Sequence, residues 1–172
     1  YGGKFRETLQ VTDETPVKKT GDEAQILAKL NLPFYIDKNR VRAVKTLVDN
    51  HDCDVIISDD GLQHYNMGRD IEIVLIDGKR RFGNNLTFPA GPLRESTIRL
   101  KDVDFIVNNS GPTQDDEYLM NISPSKFVHL KTGKSYPVKD WPMHKQVHAL
   151  AGLGNPGRFF DLLARLGFDI SR

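Results

Sequence analysis

Apolar residues in this chain gather in short uninterrupted runs that are bounded by polar turns. Three such runs lie within residues 54–58, 71–76 and 105–107. They are apolar at successive rather than alternate positions, which is typical of strands covered on both faces, as in parallel α/β sheets. We therefore predict that the three runs are neighbouring parallel strands of a mostly parallel sheet with helices on both faces.

Helical periodicity marks the segments that precede the first of these strands. Apolar residues recur at helical spacing over residues 41–48, and a capping-box pattern at residues 20–23 stands before another apolar stretch. These patterns predict one short helix over residues 22–30 and a second helix that contains residues 41–48. A brief strand is predicted between them, at residues 34–36.

The pattern of apolar and polar residues changes after Gly111, where the stretches become shorter. Short stretches at residues 126–130 and 135–138 are separated by turn residues, which predicts antiparallel hairpins. The apolar run at residues 147–151 then predicts another buried strand.

A helix is predicted after this strand, because Asn155 and Pro156 supply an N-cap and a first-turn proline, and Gly167 ends the pattern. We therefore expect the chain to have three regions: a partial α/β core at residues 1–111, a hairpin linker at residues 112–146, and the start of a second α/β lobe at residues 147–172.

Composition and charge narrow the class of protein. Of the 172 residues, 38% are hydrophobic and 27% are charged, which excludes a collagen, a coiled coil and a wholly disordered chain. The 24 basic and 23 acidic residues give a net charge of +1, so no global positive field favours nucleic acid as a partner.

The single Cys53 cannot form an internal disulfide or a zinc cluster. No apolar run approaches the roughly 18 residues that a membrane-spanning helix needs, so any membrane contact is expected to be peripheral.

An acidic pair, Asp59 and Asp60, directly follows the first predicted strand. Ligands bind at the carboxyl ends of the strands in doubly wound sheets, and acidic residues there can hold Mg²⁺ beside a transferring phosphate. The alternative is an acidic turn that only solvates the end of the strand. Gly61, Gln63 and His64 lie close behind the pair and favour the functional interpretation.

Other charged positions allow two interpretations each. The proline-rich loop at residues 88–95 presents Arg94 and Glu95 together; an arginine suits bidentate phosphate contact, and the alternative is a surface ion pair. The basic run at residues 79–81 could attract anionic lipid or phosphate, although so short a run is more often a solvated surface. From spacing alone, Asp22 is an acid that stabilises the first turn of a helix.

Two nucleotide-binding patterns need separate consideration. The glycines at 152, 154 and 157 match a dinucleotide fingerprint between a predicted strand and a predicted helix, but Pro156 lies inside the motif. The acidic residue expected about 20 positions further on would also fall at or past the last residue. Residues 132–135 imitate the end of a phosphate-binding P-loop. They lack the glycine that this pattern requires five positions earlier and lie in a predicted hairpin, so we reject that match.

Several motifs occur together, in a fixed order, along the chain. They are Tyr-Gly-Gly at 1–3, Gly-Asp-Glu at 21–23, Asp-Asp-Gly-Leu-Gln-His at 59–64, Arg-Asp at 69–70, Phe-Gly-Asn at 82–84, Pro-Ala-Gly-Pro-Leu-Arg-Glu at 89–95, and Gly-Leu-Gly-Asn-Pro-x-Arg-Phe-Phe at 152–160. In this combination the chain resembles the tetraacyldisaccharide 4'-kinases, the lipid A 4'-kinases, from end to end. The resemblance implies a P-loop-kinase-like core with a second α/β lobe. It also implies transfer of the γ-phosphate of ATP to the 4'-hydroxyl of a lipid A disaccharide precursor, at the cytoplasmic face of the inner membrane of Gram-negative bacteria.

The resemblance implies roles for individual residues. Asp22 becomes the expected base that acts on the sugar hydroxyl, in place of its helix-capping role. The expected ligands of Mg²⁺ are Asp59, Asp60, Gln63 and Glu95. Gln63 and Arg94 are expected to contact the nucleotide. The residues expected to bind the lipid substrate are Tyr1, Gly2, His64 and Arg80.

The resemblance also carries departures. The Walker A loop of the family is expected before residue 1, and a histidine that pairs with the base is expected beyond residue 172. Ala24 stands where the family usually has proline. We therefore expect the 172-residue chain to be inactive by itself. Two alternatives stay open: a nicotinamide-dependent oxidoreductase built on the glycines at 152–157, and a non-catalytic binding or scaffold fragment.

Overall fold

The computed structural model describes residues 7–171, and the chain divides after Leu119 into two units. In the first unit, strands β1 (Leu9–Gln10) and β2 (Tyr35–Ile36) pair in antiparallel fashion. The helices of this unit are α1 (Val17–Thr20), α2 (Asp22–Ala28) and α3 (Arg40–Asn50). The buried residues that pack together among β1, α2 and β2 are Val11, Ala24, Ala28 and Ile36.

The predicted helices and the short strand before α3 are confirmed, but the capping box is wrong. The Thr20 hydroxyl donates to the Gly21 carbonyl at 3.1 Å, and Gly21, with φ of 87°, is the N-cap of α2 without a side-chain cap. By contrast, the side chain of Asn39 caps α3 by accepting a hydrogen bond from the Arg42 amide at 3.1 Å. Strand β1 and helix α1 carry no signal that predicted them, because they have only two and four residues.

The central sheet of the first unit has the strand order β3-β4-β5. The strands are β3 (Ile73–Asp77), β4 (Phe105–Asn109) and β5 (Glu117–Met120). β3 and β4 run parallel, with Ile73 opposite Phe105 and Asp77 opposite Asn109. Two of the three predicted strands are therefore confirmed as parallel neighbours.

The third predicted strand, at residues 54–58, is wrong. The segment is irregular, and Val55 and Ile57 are 76% and 88% exposed. No strand among the described residues pairs with it, so its backbone lacks a ladder and its side chains lack a covering layer. Burial on both faces is wrong for β3 as well, because Ile73 and Leu75 are more than half exposed.

Strand β5 corrects a second expectation, that the chain leaves this sheet after Gly111 through hairpins. Glu117, at the start of β5, accepts hydrogen bonds from Arg81 at 2.6 and 2.9 Å and from Asn108 at 2.7 Å. Its side chain is only 4% exposed, and the bonds from Arg81 are the main reason that its pKa is lowered to about 2. Three of the four residues of β5 are apolar, but the contacts that fix the strand come from Arg81 and Asn108 and give no local signal in the sequence.

The second unit has an aromatic core. Its strands form two pairs, β6 (Lys126–Val128) with β7 (Ser135–Pro137) in an antiparallel hairpin, and β8 (Gln146–His148) with β9 (Asp169–Ser171) in parallel. Helix α4 (Pro156–Arg165) lies between β8 and β9 in the chain. The rings of Phe127, Trp141 and Phe168 pack edge to face with centroids 4.7 to 5.8 Å apart. The predicted hairpin and helix are confirmed, and residues 132–134 lie in the hairpin turn as expected. The strand predicted at residues 147–151 is confirmed only as the shorter β8, and its burial is wrong, because Leu150 is 94% exposed.

Candidate functional site

The acidic pair lies on a turn, here named the first loop (residues 59–64). Asp59 and Asp60 are exposed, and Asp60 adopts the left-handed backbone conformation with φ of 49°, which aspartate tolerates better than most residues. The His64 amide donates to the Gly61 carbonyl at 2.9 Å and closes the turn. Both carboxylates are therefore open to solvent and to a ligand.

A second loop (residues 86–95) is fixed in shape by its own backbone. The Phe88 amide donates to the Leu93 carbonyl at 2.8 Å, and the Leu93 amide donates to the Leu86 carbonyl at 3.2 Å. Only glycine fits at position 91, because a Cβ there would lie 2.2 Å from the Leu86 carbonyl oxygen. These contacts set the path of the loop, which ends at Arg94 and Glu95.

Side-chain hydrogen bonds join the two loops. Gln63 Nε2 donates to Glu95 Oε2 at 3.1 Å, across 32 residues of sequence, and Arg94 Nη1 donates to Gln63 Oε1 at 3.5 Å. Arg94 Nη1 also lies 3.9 Å from Asp60 Oδ2, in an ion pair that solvent weakens because both side chains are more than half exposed. The fold thus brings Asp60, Gln63, Arg94 and Glu95 into one group.

Glu95 is the most firmly held member of this group. The Tyr65 hydroxyl donates to Glu95 Oε1, and this bond, with the weaker one from Gln63, holds the pKa of the Glu95 carboxyl below its usual range. The carboxylate is therefore ionised at neutral pH, and it keeps the second loop close to the first.

Three residues around the two loops carry no expected role from the sequence: Tyr65, Arg69 and Arg99. The guanidinium carbons of Arg69 and Arg99 lie 5.7 and 5.9 Å from the centroid of the Tyr65 ring, and both arginines form ion pairs with Glu72. Only Arg69 had a signal in the sequence, as a member of the Arg-Asp motif at 69–70.

A cavity of about 700 Å³ lies beside the first loop. Its lining includes Lys38, Arg40 and His64, so nitrogen-bearing side chains surround it. The Arg40 guanidinium donates to the Asp59 carbonyl at 3.4 Å and joins this wall to the acidic pair. Asp37, just before this lining in the chain, is held firmly: its side chain is 1% exposed and accepts hydrogen bonds from Arg42. These bonds hold the pKa of the Asp37 carboxyl well below its usual range.

Other predicted residues lie apart from this group or outside the described chain. Within residues 7–171, no hydrogen bond or ion pair joins Asp22, in the first turn of α2, to either loop. Arg80 is exposed on the turn after β3, whereas Arg81 of the same basic run is held by Glu117. Tyr1 and Gly2 lie outside the described residues.

The acidic pair has the oxygen donors that Mg²⁺ prefers. In the part of the chain that the structure describes, no three Asp, Glu, His or Cys side chains lie close enough to hold a metal ion. Mg²⁺ beside a phosphate commonly takes one or two carboxylates and completes its shell with phosphate oxygens and water, so two exposed carboxylates suit it. Gln63 and Glu95 are bonded to each other in this arrangement.

The glycines at 152, 154 and 157 do not have the context that a dinucleotide site needs. Strand β8 ends at His148, so residues 149–151 separate it from Gly152, and Pro156 is the first residue of α4. The fingerprint requires a glycine turn directly after the strand, with its amides directed at the pyrophosphate.

Among residues 7–171, no helix is both long enough and apolar enough to cross a bilayer.

Comparisons with known proteins agree with the motifs. The model of the tetraacyldisaccharide-1-P 4'-kinase family matches residues 1–172. The chain is 46% identical to the tetraacyldisaccharide 4'-kinase of Ruthia magnifica subsp. Calyptogena magnifica, over 99% of this chain and 54% of that protein. It is 44% identical to the protein of that name from Shewanella frigidimarina, over 99% of this chain and 50% of the relative. It is 42% identical to the protein of that name from Haemophilus influenzae, over 100% of this chain and 52% of that relative.

No solved structure matches the chain. The chain spans about half the length of the curated relatives that it matches. Because the family match nevertheless covers every residue of it, the chain belongs to the tetraacyldisaccharide-1-P 4'-kinase family.

Proposed function

We propose that this chain supplies part of the active site of an ATP-dependent kinase, which phosphorylates the 4'-hydroxyl of a tetraacyldisaccharide 1-phosphate, a lipid A precursor. The names of the family and of the relatives support the reaction. The observation that carries the site is the hydrogen bond from Gln63 to Glu95, because it joins the loop with the acidic pair to the loop with Arg94. An oxidoreductase built on the glycines at 152–157 has no comparable support.

Phosphoryl transfer requires from a protein mainly positioning and charge neutralisation. We assign Asp59 and Asp60 as Mg²⁺ ligands, with Gln63 and Glu95 beside them, because the acidic pair is exposed and open to solvent. Bound there, the ion would neutralise charge on the transferring phosphate. Arg94, which reaches both Asp60 and Gln63, is assigned to a phosphate oxygen of the nucleotide, since a guanidinium can donate two parallel hydrogen bonds.

The cavity beside the first loop is the proposed seat of the sugar ring that carries the 4'-hydroxyl. Among the residues that line it, Lys38 and Arg40 supply positive charge and His64 supplies a ring nitrogen. The sugar would then lie next to the acidic pair, because Arg40 contacts the Asp59 carbonyl. Tyr1 and Gly2 keep their proposed substrate role from the family resemblance.

Asp22 is the proposed base. As the 4'-oxygen forms its bond to the γ-phosphorus and the bond between that phosphorus and ADP breaks, the Asp22 carboxylate would take the hydroxyl proton. The carboxylate is exposed at the start of α2, where a substrate can reach it.

The acylated substrate is met at a bilayer surface in this proposal, at the cytoplasmic face of the inner membrane. Lys79 and Arg80 are exposed on the turn after β3 and suit an anionic lipid surface. Arg81 is excluded from this role because it is held by Glu117. We also propose that the 172 residues have no turnover alone, since their sequence contains no complete P-loop.

The test is the substitution of each acid of the pair, Asp59→Asn and Asp60→Asn, in a full-length kinase that contains this sequence. Transfer of labelled phosphate from ATP to tetraacyldisaccharide 1-phosphate should fall at least about a hundredfold, or about 2.7 kcal/mol of transition-state stabilisation. Asp52→Asn, an exposed acid ahead of the same irregular segment, is the matched control and should keep full turnover. Full turnover in both acid variants would remove the pair from the mechanism.

A further inference from the structure

The backbone of the first loop is held by one guanidinium. Arg69 Nη1 donates to the Gly61 carbonyl at 2.9 Å, and Arg69 Nη2 donates to the Leu62 carbonyl at 3.1 Å. These two carbonyls lie between the acidic pair and Gln63. The loop has no regular secondary structure, so two charge-assisted hydrogen bonds at its centre contribute much to its shape.

Arg69 is itself connected to the central sheet. Its Nε forms an ion pair with Glu72, whose side chain is 12% exposed. The backbone carbonyl of Glu72 accepts hydrogen bonds from the Asp104 and Phe105 amides, each at 3.1 Å, at the start of the β3–β4 ladder. The Glu72 amide donates to the Asp104 carboxylate at 2.7 Å. A continuous series of bonds therefore runs from the parallel strands through Glu72 and Arg69 to the first loop.

The same guanidinium also supports the second loop. Arg69 and Arg99 both lie near the ring of Tyr65, and the Tyr65 hydroxyl donates to Glu95. Arg69 thus contacts the backbone of one loop and the residue that holds the other. Arg99 shares the ring and Glu72 with Arg69, but no hydrogen bond from Arg99 to the first loop is found among the described residues.

We propose that Arg69 is a positioning residue, which sets the distance between the acidic pair and the Gln63–Glu95 contact without touching substrate. Arginine is needed because its planar fork donates to two carbonyls and a carboxylate at once, whereas the ammonium of lysine is a point charge on a flexible stem. The role in turnover rests on the proposed function. The role in the shape of the loop does not.

The first test measures amide hydrogen exchange in the 172-residue chain. The amides of His64 and Met67, bonded at 2.9 and 3.0 Å, report opening of the first loop, and the amides of β3 and β4 report the sheet. Arg69→Lys should speed exchange at His64 and Met67 at least about tenfold and leave the sheet unchanged. Arg99→Lys is the matched control, since it removes the same partners except the loop carbonyls. Unchanged exchange at His64 and Met67, or equal acceleration throughout the sheet, would overturn the proposal.

The second test uses the full-length kinase. Arg69→Lys should lose kcat nearly as much as Arg69→Ala, with the KM for the lipid acceptor unchanged, because the charge alone is not sufficient. Added guanidinium should restore the turnover of Arg69→Ala at least about tenfold, and methylammonium should not. Wild-type kcat in both variants would overturn the role in turnover. A wild-type protein without kinase activity would instead refute the proposed function, and the exchange measurement would still decide the positioning role.

Discussion

At the scale of single residues, the charges of the first unit divide by burial into two kinds. Glu117 and Asp37 are buried and each is paired with an arginine, so they serve packing and register. Asp59 and Asp60 are exposed and contribute nothing to packing. A buried carboxylate is tolerated only with its partners, whereas an exposed acidic pair next to a cavity has a different use.

The stability of the first unit should depend on Glu117 in a pH-dependent way. Its pKa is about 2 in the folded chain and near 4.5 when unfolded, so its contribution is present above about pH 4.5 and is lost as the pH falls towards 2. Glu117→Gln should lower the free energy of unfolding at pH 7 by about 1–3 kcal/mol and make it decline less below pH 4.5. Urea unfolding across this pH range measures both effects. Glu14→Gln, at an exposed acid, is the control, and an unchanged pH slope in Glu117→Gln would contradict the assignment.

A residue of the candidate site could be predicted from the sequence when a recognisable pattern of neighbouring residues includes it. The acidic pair follows an apolar run, and Arg94 and Glu95 end a proline-rich loop, so each is visible within a few residues of sequence. Tyr65 and Lys38 were not predictable, because their contacts exist only once segments far apart in the chain have met. Arg69 belongs to the Arg-Asp motif at 69–70, but nothing in that motif indicates the loop carbonyls that it contacts. The sequence does not indicate which acids are connected through hydrogen bonds or ion pairs. In the structure, Asp22 is not connected to the acids of the two loops.

At the scale of elements, a strand was predicted correctly where the described chain also contains the strand that pairs with it. The runs that became β3 and β4 are adjacent in the sheet and pair with each other, so their own pattern was sufficient. The apolar run at residues 54–58 has no partner strand among the described residues, and it is irregular. Strand β5 is polar at its first residue and is fixed by Arg81 and Asn108, which no periodicity reveals.

The second loop offers a prediction at this scale. Gly91→Ala places a Cβ 2.2 Å from the Leu86 carbonyl oxygen, so the backbone must shift and carry Arg94 and Glu95 away from Gln63. We expect the full-length kinase to lose turnover about tenfold or more, and unfolding to become easier by about 1–3 kcal/mol. Gly68→Ala is the control, because no heavy atom lies within 4 Å of its added Cβ. Kinase assays and urea unfolding of both variants decide it, and wild-type turnover in Gly91→Ala would show that the loop's shape is not needed.

At the scale of the whole molecule, much apolar surface remains exposed on a chain about half as long as its relatives. Ile73 and Leu75 of β3 are more than half exposed, and Val55 and Ile57 are more exposed still. Exposed aliphatic side chains leave apolar surface in contact with water, which favours self-association.

The irregular segment at residues 54–58 has a colloidal consequence. Its aliphatic side chains form a short aggregation-prone segment that is flanked by acidic residues. These are Asp52 and Asp54 on one side and Asp59 and Asp60 on the other. Like charges on two approaching copies repel, so the chain should stay dispersed at low ionic strength. Raising sodium chloride from about 0.05 M to about 0.5 M screens that repulsion and should promote self-association, seen as increased light scattering. Ile57→Glu should abolish the increase and Ile122→Glu, at another exposed isoleucine, should not, because only Ile57 lies between these acids.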